Sequence, residues 1–493
     1  MDRLILYLGG IVLLLALAGI RELIPARGPQ VSDRIQPADP DRMPPREPGD
    51  ATHRGMVLGI FPWRDERPRF QAEFAEMHAL GINSVSFNFN WYMDTIYEST
   101  VYRGVADARN QTASDIVIGQ AIADAHAAGL HVMLFPTIYV LHLGEGEWRG
   151  RIRPPDWEVW FASYRALVVS LARLAERFGA ECLCCGVELI SSEVHGSQWR
   201  RILSEVRAAY SGKLLYSTNW DARENRAWFR QLDLIAMNAY YELSDKRDAG
   251  VEELVAAWRG IRDQIRPWRH QLGLPLIISE IGYRSADGSV TRPWNYFLPG
   301  DVDMEEQRRG YEAFFRAWYD DDMLQGVYFY NWFGEGGPDD KNYTPRGKPA
   351  ATVMQSWYAK IAERDIKRAA ERAAHPDPTP PAPLTNENRP VDPDPPIGPA
   401  LPPDWPHGSP GTDSLEPRGL PSLLVPEEFR SSPTLAVRFR GHESWSEVGT
   451  RITTPIIEAG KPQKWEIVLI DPVDRMVIVR DASRMQTITL RGD

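Results

Sequence analysis

The sequence predicts a (β/α)8 TIM barrel from three observations. Between residues 53 and 370, eight short apolar segments alternate with amphipathic ones. Most of the apolar segments do not alternate with polar residues, as expected of parallel strands buried on both faces. Eight such repeats in a chain of this length suit a closed barrel. An open doubly wound sheet is the alternative, but the segment after Gly59 lacks its Gly-rich first turn.

The predicted elements follow in order along the chain. The strands are Met56–Phe61, Ile82–Phe89, His131–Thr137, Cys182–Glu188, Leu214–Thr218, Leu234–Ala239, Leu276–Ile281 and Gly326–Trp332. The amphipathic segments predict helices at Gln71–Leu80, Ile116–Ala128, Trp157–Phe178, Gln198–Tyr210, Val251–Gln264 and Glu305–Tyr319. Gly81 and Gly129 stand where a left-handed helix C-cap favours glycine.

Residues 1–22 predict a signal peptide or a transmembrane anchor. The run from Leu4 to Ile20 has no charge, although a membrane span needs ~20 residues. Ala16-Leu17-Ala18 could be a signal-peptidase site. An uncleaved anchor is favoured because a long polar spacer, residues 23–52, follows it. Both interpretations predict export: the protein is membrane-anchored and faces the periplasm or exterior, or it is secreted.

Two segments follow the predicted barrel domain, residues 53–370. Residues 371–424 are rich in proline and predict a semi-rigid linker. Residues 425–493 regain short β-type runs, one of which begins at Trp465, and predict a small β-rich module.

Composition excludes one class of partner. The net charge of −11 disfavours nucleic acid, since a polyanion would be repelled. The 17 tryptophans suit both a core and flat surfaces for sugar rings.

The three cysteines are predicted to be small buried residues. Alternation places Cys182 and Cys184 on one face of a strand and Cys185 on the other. No metal and no cofactor are predicted, because His142 and His195 lack the spacing of a metal motif.

Two glutamates end predicted strands four and seven, at the barrel face where active sites lie. Glu188 and Glu280 each directly follow an apolar strand, so neither is expected to be a surface charge. Two facing carboxyl groups are what glycosidic bond cleavage requires: an acid for the leaving oxygen, and a nucleophile or base. The other strand ends carry aromatic and amide side chains, which suit sugar rings and hydroxyls: Trp63, Trp91, Asn219, Trp220, Tyr240, Tyr241, Tyr283 and Trp332.

These segments resemble glycoside hydrolase family 113, a β-mannanase family among the retaining TIM-barrel hydrolases of clan A. The resemblance spans about Gly55 to Tyr358. Its most specific stretches include Trp148-Arg149-Gly150, Gly186-Val187-Glu188-Leu189, Glu280-Ile281-Gly282-Tyr283 and Tyr330-Asn331-Trp332.

The resemblance implies a role for each central residue. Glu188 would be the general acid/base and Glu280 the nucleophile. Tyr240 would hydrogen-bond the nucleophile, and Trp332 would form a hydrophobic floor under the sugar at the cleaved bond. Asn219, Trp220 and Trp91 would contact the substrate. Retaining enzymes hold the two carboxyl groups ~5–5.5 Å apart.

Several positions depart from the family pattern. Val187 replaces the asparagine that most of clan A has before the acid/base, and Met93 stands where strand 2 often has glutamine. Asn238 and Glu242 replace an aspartate and a proline around the strand-6 tyrosines. The sequence therefore predicts a retaining, endo-acting hydrolase of a β-linked polysaccharide, mannan-like or another envelope or extracellular glycan. The alternatives are a non-catalytic, membrane-tethered carbohydrate-binding barrel and an envelope scaffold.

Overall fold

The structure is a computed structural model. It describes residues 51–60, 67–104, 112–297 and 299–374, and the backbone of seven strands between 426 and 491. All of them belong to one compact unit, Pro45–Asp493. The predicted leader 1–22 lies outside the described residues, as do nearly all of the spacer 23–52, the Pro-rich linker and Trp63. Among the described helices, none is long and apolar enough to cross a membrane.

Eight parallel strands close into a barrel in sequence order, which confirms the predicted fold. The strands are β1 His53–Gly59, β2 Ser84–Met93, β3 His131–Val140, β4 Cys182–Val187, β5 Lys213–Asn219, β6 Leu234–Asn238, β7 Leu276–Ile281 and β8 Leu324–Phe329. Strand β8 ends before Tyr330, so the predicted end at Trp332 was three residues too late. The backbone N–H of Trp332 still donates to the carbonyl of Val57, at 2.8 Å.

Helices cover the outside of the barrel. They are α1 Arg67–Ala79, α2 Asp115–Ala127, α3 Trp157–Phe178, α4 Gly196–Ala209, α5 Val251–Leu272, α6 Met304–Trp318 and α7 Pro349–Ala374. Six match the predicted helices, and α7 was not predicted individually. Gly81 and Gly129 have φ angles of 78° and 79°, so the two predicted C-caps are left-handed.

Two separate sets of buried side chains flank each strand. One set fills the barrel and includes Cys182, Cys184 and Phe135. The other lies between strands and helices and includes Cys185 and Phe87. The predicted split of the three cysteines is therefore correct, and it follows from the two-residue period of a strand. The same period determines which side chains can reach the barrel mouth.

The seven strands between Pro426 and Arg491 form two antiparallel sheets. The first contains Pro426–Arg430, Ala436–Phe439 and Ser446–Glu447, and the second contains Arg451–Glu458, Lys461–Asp471, Met476–Asp481 and Gln486–Arg491.

Candidate active site

Glu188 lies immediately after β4 on a strained backbone. Its φ angle is +55°, and it is the only non-glycine residue with a positive φ in the described part of the chain. A non-glycine residue with a positive φ angle costs ~1–3 kcal/mol, and this backbone conformation persists only where surrounding contacts fix it. Its N–H donates to the carbonyl of Ser217 on β5, at 2.8 Å. The side chain is 6% exposed and is therefore fixed at the barrel mouth rather than free in solvent.

Arg149 contacts the carboxyl group of Glu188. It begins a short 3-10 turn, Arg149–Arg151, in the loop between β3 and α3. Its Nη2 donates to Oε2 of Glu188 at 2.5 Å. A charge-assisted bond of this kind is about twice as strong as a neutral one. No individual role for this arginine is predicted from the sequence, so the structure adds a cation to the predicted pair.

Glu280 lies on β7 and is 7% exposed. Nδ2 of Asn88 donates to its Oε1 at 2.8 Å, and the hydroxyl of Tyr240 donates to its Oε2 at 3.2 Å. Burial, and then the negative charge of Glu188, raise the pKa of Glu280 to about 7. The charge of Arg149 and the two donors lower this pKa, but burial outweighs them.

A layer of small polar side chains lies inside the barrel next to the nucleophile. Ser217 and Ser279 both donate to Oδ1 of Asn238, at 3.0 and 3.1 Å, and their hydroxyl oxygens are 2.7 Å apart. All three residues are fully buried. They come from β5, β7 and β6, so the layer ties together the strands that carry Glu280 and Tyr240.

Tyrosine rings form one wall of the pocket around Glu280. Tyr240 and Tyr330 have centroids 6.4 Å apart, and Tyr296 packs on Tyr330 at 6.1 Å and on Tyr343 at 5.2 Å. Burial raises the pKa of Tyr240, Tyr330 and Tyr343, and the charge of Glu280 contributes. These rings are neutral donors at neutral pH, and they place an aromatic surface beside the nucleophile.

Three further predicted site residues lie together at the ends of β5 and β6. Trp220 packs on Tyr241 in a T-shaped contact at 5.3 Å. Nδ2 of Asn219 donates to Asp221 at 2.6 Å. The guanidinium of Arg223 lies 5.8 Å from the Tyr241 ring centre. Trp220 is partly exposed, whereas Asn219 and Tyr241 are 7% exposed.

Three other predicted residues are packed inside the protein. Trp91 is 2% exposed and contacts Tyr164 of α3, at 5.8 Å between ring centres. Tyr283 is 1% exposed and accepts a hydrogen bond from Trp258. Trp332 is 2% exposed, with Arg346 5.4 Å from its ring centre. The structure thus places Trp91 and Tyr283 in the layer between strands and helices. The aromatic side chain beside the nucleophile is that of Tyr330.

Asn88, Arg149 and Tyr296 were not predicted as individual site residues. A signal for Asn88 exists in the sequence: β2 reads SVSFNFNWYM, with apolar residues at every second position. That alternation points Val85, Phe87 and Phe89 toward the helices and Asn88 into the barrel. The loop residues Arg149 and Tyr296 have no comparable periodic signal.

One cluster of acidic residues could offer metal ligands. Carboxylate oxygens of Asp287, Asp303 and Glu306 lie within 4.8 Å of one another. Glu306 accepts hydrogen bonds from the backbone N–H groups of Gly288 and Val290, at 2.7 and 2.8 Å. Asp287 pairs with Arg247 at 2.7 Å. These contacts anchor the loop between β7 and α6, which accounts for the cluster without a metal.

Known proteins provide an independent comparison. The family model described as Glycoside Hydrolase Family 113 matches residues 61–348, more than half of the chain. No curated protein matches the chain.

Among solved structures, the GH113 β-mannanase of Alicyclobacillus acidocaldarius in complex with ManMIm is 29% identical, with a TM-score of 0.56. The match covers 63% of this chain and 98% of that one. A GH113 β-1,4-mannanase solved as a complex is 23% identical, with a TM-score of 0.55, over 63% of this chain and 99% of that one. The second likeness shows the fold alone.

Proposed function

Because the chain belongs to glycoside hydrolase family 113, and is therefore a glycoside hydrolase of clan A, we propose that it cleaves β-mannan, or a related β-linked glycan, with retention at the anomeric carbon. The observation that carries this proposal is the pair of buried carboxyl groups at the ends of β4 and β7, Glu188 and Glu280.

In the first step, the carboxylate of Glu280 attacks the anomeric carbon. The bond to the leaving oxygen breaks, and Glu188 gives that oxygen its proton. Asn88 and Tyr240 donate to Glu280, so they hold its oxygens in place for attack. The products are a glycosyl ester on Glu280 and a free hydroxyl on the leaving sugar.

In the second step, water attacks the same carbon and Glu188 takes its proton. Ester formation removes the negative charge of Glu280, so Glu188 more readily exists as the carboxylate that a base must be. The ester bond breaks, and Glu280 returns as a carboxylate. Two displacements at one carbon leave its configuration unchanged.

Exposed aromatic side chains support endo action on a long chain. Among the described residues, the exposed aromatic side chains all lie at the mouth-facing ends of strands or in the loops that follow them: Tyr97, Tyr139, Trp294, Tyr296, Phe297 and Phe333. Flat rings stack on sugar faces. Their spread from the β2–β3 side to the β7–β8 side suits a glycan that crosses the whole mouth.

Proton NMR of the first-formed product tests the stereochemistry. A β-anomer that later mutarotates is expected from β-mannan, and an α-anomer formed first would rule out the retaining mechanism. A panel of mannan, glucomannan, xylan, β-glucan and bacterial exopolysaccharides, assayed for reducing ends, tests the substrate. A rapid fall in viscosity with few new reducing ends is expected of endo action.

We also propose that the protein is exported and anchored through residues 1–22. The support is the uncharged run from Leu4 to Ile20. Fractionation of cells that express the full chain should place it in the membrane fraction. A chain with this segment deleted should be released from that fraction, and an unchanged distribution would contradict the anchor.

A further inference from the structure

The ion pair between Arg149 and Glu188 has features that a purely structural pair would avoid. The guanidinium Nη2 donates to Oε2 of Glu188 at 2.5 Å. The Nε atom of Arg149 is buried and has no hydrogen-bond partner among the residues that the structure describes. Leaving a buried donor unpaired costs free energy. The site therefore retains this arginine at a cost, which points to a role in the reaction.

We propose that Arg149 is a positioning residue for the general acid/base: it occupies Oε2 of Glu188, so that the transferable proton is carried by Oε1. The proposal rests on the proposed function. A guanidinium has only donors, so a proton on Oε2 would face an N–H group. The acid form of Glu188 therefore carries its O–H on the other oxygen. In the second step, the same oxygen accepts the proton of water.

The loop that carries Arg149 is fixed by close packing. A Cβ atom at Gly150 would lie 2.5 Å from the Trp148 ring, so only glycine fits there without movement. Arg149 stands between these two residues in a short helical turn. Its backbone is thus held by the indole next to it, and its side chain reaches Glu188 from a fixed starting point.

The positive charge of Arg149 also reaches the nucleophile. It lowers the pKa of Glu280, against the larger effects of burial and of the negative charge of Glu188. Loss of this charge should let Glu280 keep its proton to higher pH. Orientation and charge are thus two separable consequences of one side chain.

The leaving group separates positioning from a structural role. Two aryl β-mannosides share the sugar but differ in the need for acid: 2,4-dinitrophenolate leaves unaided, whereas 4-methylphenolate requires a proton. For Arg149→Gln we expect kcat/KM to fall about 100-fold on the methylphenyl substrate, within the range of general acid catalysis, and under about threefold on the dinitrophenyl one. Equal losses on both substrates would overturn the proposal.

Two further variants refine the test. Arg149→Lys keeps the charge but not the fixed fork, so its loss on the methylphenyl substrate should be intermediate. Arg207→Gln is the matched control, because Arg207 pairs with Asp233 and its side chain is 31% exposed, against 29% for Arg149. Asp233 precedes β6 at the opposite end of the barrel. This control should lose stability without any dependence on the leaving group.

A titration that needs no turnover completes the experiment. Carbon-13 NMR of glutamate carboxyl carbons, assigned with Glu280→Gln, follows Glu280 in wild type and in Arg149→Gln. The Glu280 midpoint should rise by about one pH unit in the variant, which corresponds to one lost charge interaction. An unchanged midpoint would refute the charge effect. If wild type cleaves no mannoside, the proposed function fails, while this titration still decides the effect of Arg149 on Glu280.

Discussion

The two ends of the active site hold their carboxyl groups by different means. At the acid/base end, Glu188 has a strained backbone and a cation at 2.5 Å. At the nucleophile end, Glu280 has a regular strand backbone and two neutral donors, Asn88 and Tyr240. Two tyrosine rings, Tyr240 and Tyr330, also lie beside Glu280.

This difference matches what each group does. The acid/base must present one oxygen to a proton that moves twice, so geometry is its main requirement. The nucleophile must be able to lose its charge to the sugar, and full charge compensation would make it unreactive. Burial raises the pKa of Glu280 to about 7 because it destabilises the charged carboxylate. Ester formation removes that charge, so burial favours the attack.

The largest expected effect is at the nucleophile. Glu280→Gln keeps the shape of the side chain but removes the attacking oxygen, so kcat should fall by on the order of 10⁴-fold or more. Reducing-end release from mannan measures it. Circular dichroism and calorimetric titration with mannohexaose should show an intact fold and retained binding. A variant with a near-normal rate would mean that the nucleophile is assigned wrongly.

The donors to Glu280 should matter next. Tyr240→Phe removes a hydrogen bond to a charged group, an interaction of about 1.5–3 kcal/mol, so kcat/KM should fall roughly 10- to 100-fold. The donor favours the ionised form, and its loss should move the acid limb of the pH profile from about 7 to higher pH.

Tyr343→Phe is the control for that variant. Its hydroxyl donates to the carbonyl of Pro293 at 2.6 Å and does not bond Glu280. It should leave the acid limb in place. A limb that moves equally in both variants would indicate a general effect of the tyrosine wall rather than of the bond from Tyr240.

A smaller effect is expected behind the acid/base. The hydroxyl of Tyr216 accepts from the N–H of Leu189 at 3.1 Å and donates to the buried Glu193 at 2.9 Å. Tyr216→Phe frees the residue that follows Glu188, so kcat should fall about 3- to 10-fold, with a stability loss of about 1–3 kcal/mol. Steady-state kinetics and urea unfolding measure the two effects.

Tyr210→Phe separates these two effects. Tyr210 is equally buried, and its hydroxyl donates to the carbonyl of Ala180, ahead of β4. This variant should lose stability but keep kcat. If both variants keep kcat, the Tyr216–Glu193 pair serves the fold alone.

The same two ends show which active-site residues can be predicted from the sequence and which cannot. Glu188 and Glu280 could be predicted because each directly follows a buried apolar strand. Strands that are buried on both faces appear in the sequence as continuous apolar runs, so their ends can be located. Arg149 could not be assigned a role in the same way, because it reaches Glu188 through a loop whose path no periodic pattern encodes. Distances between side chains on different loops depend on tertiary packing, which no pattern in a single sequence encodes.

The choice among strand-end aromatics shows a second limit. Residue type predicts Trp91 as a substrate contact, since indole rings suit sugars, and assigns no role to Asn88. The alternation in β2 places the two side chains on opposite faces, with Asn88 at the nucleophile and Trp91 against α3. Residue type alone was therefore a weaker guide than strand parity.

The smallest expected effect is on stability, and it too depends on the nucleophile end. The pKa of Glu280 rises from 4.5 to about 7 on folding because burial penalises its charge. Between these pH values the folded chain binds the proton more tightly than the unfolded chain, so stability is present below pH 4.5 and is lost as pH rises through 7.

Glu280→Gln has no charge to bury and should escape this loss. The variant should gain about 3 kcal/mol over wild type at pH 8 relative to pH 4.5, since one pKa unit corresponds to 1.36 kcal/mol. Urea unfolding at a series of pH values measures the difference. Glu193 and Glu306, whose pKa values burial also raises to about 7, titrate in both proteins and cancel. A pH-independent difference would mean that the donors Asn88 and Tyr240 already compensate the charge of Glu280, so that burial does not raise its pKa.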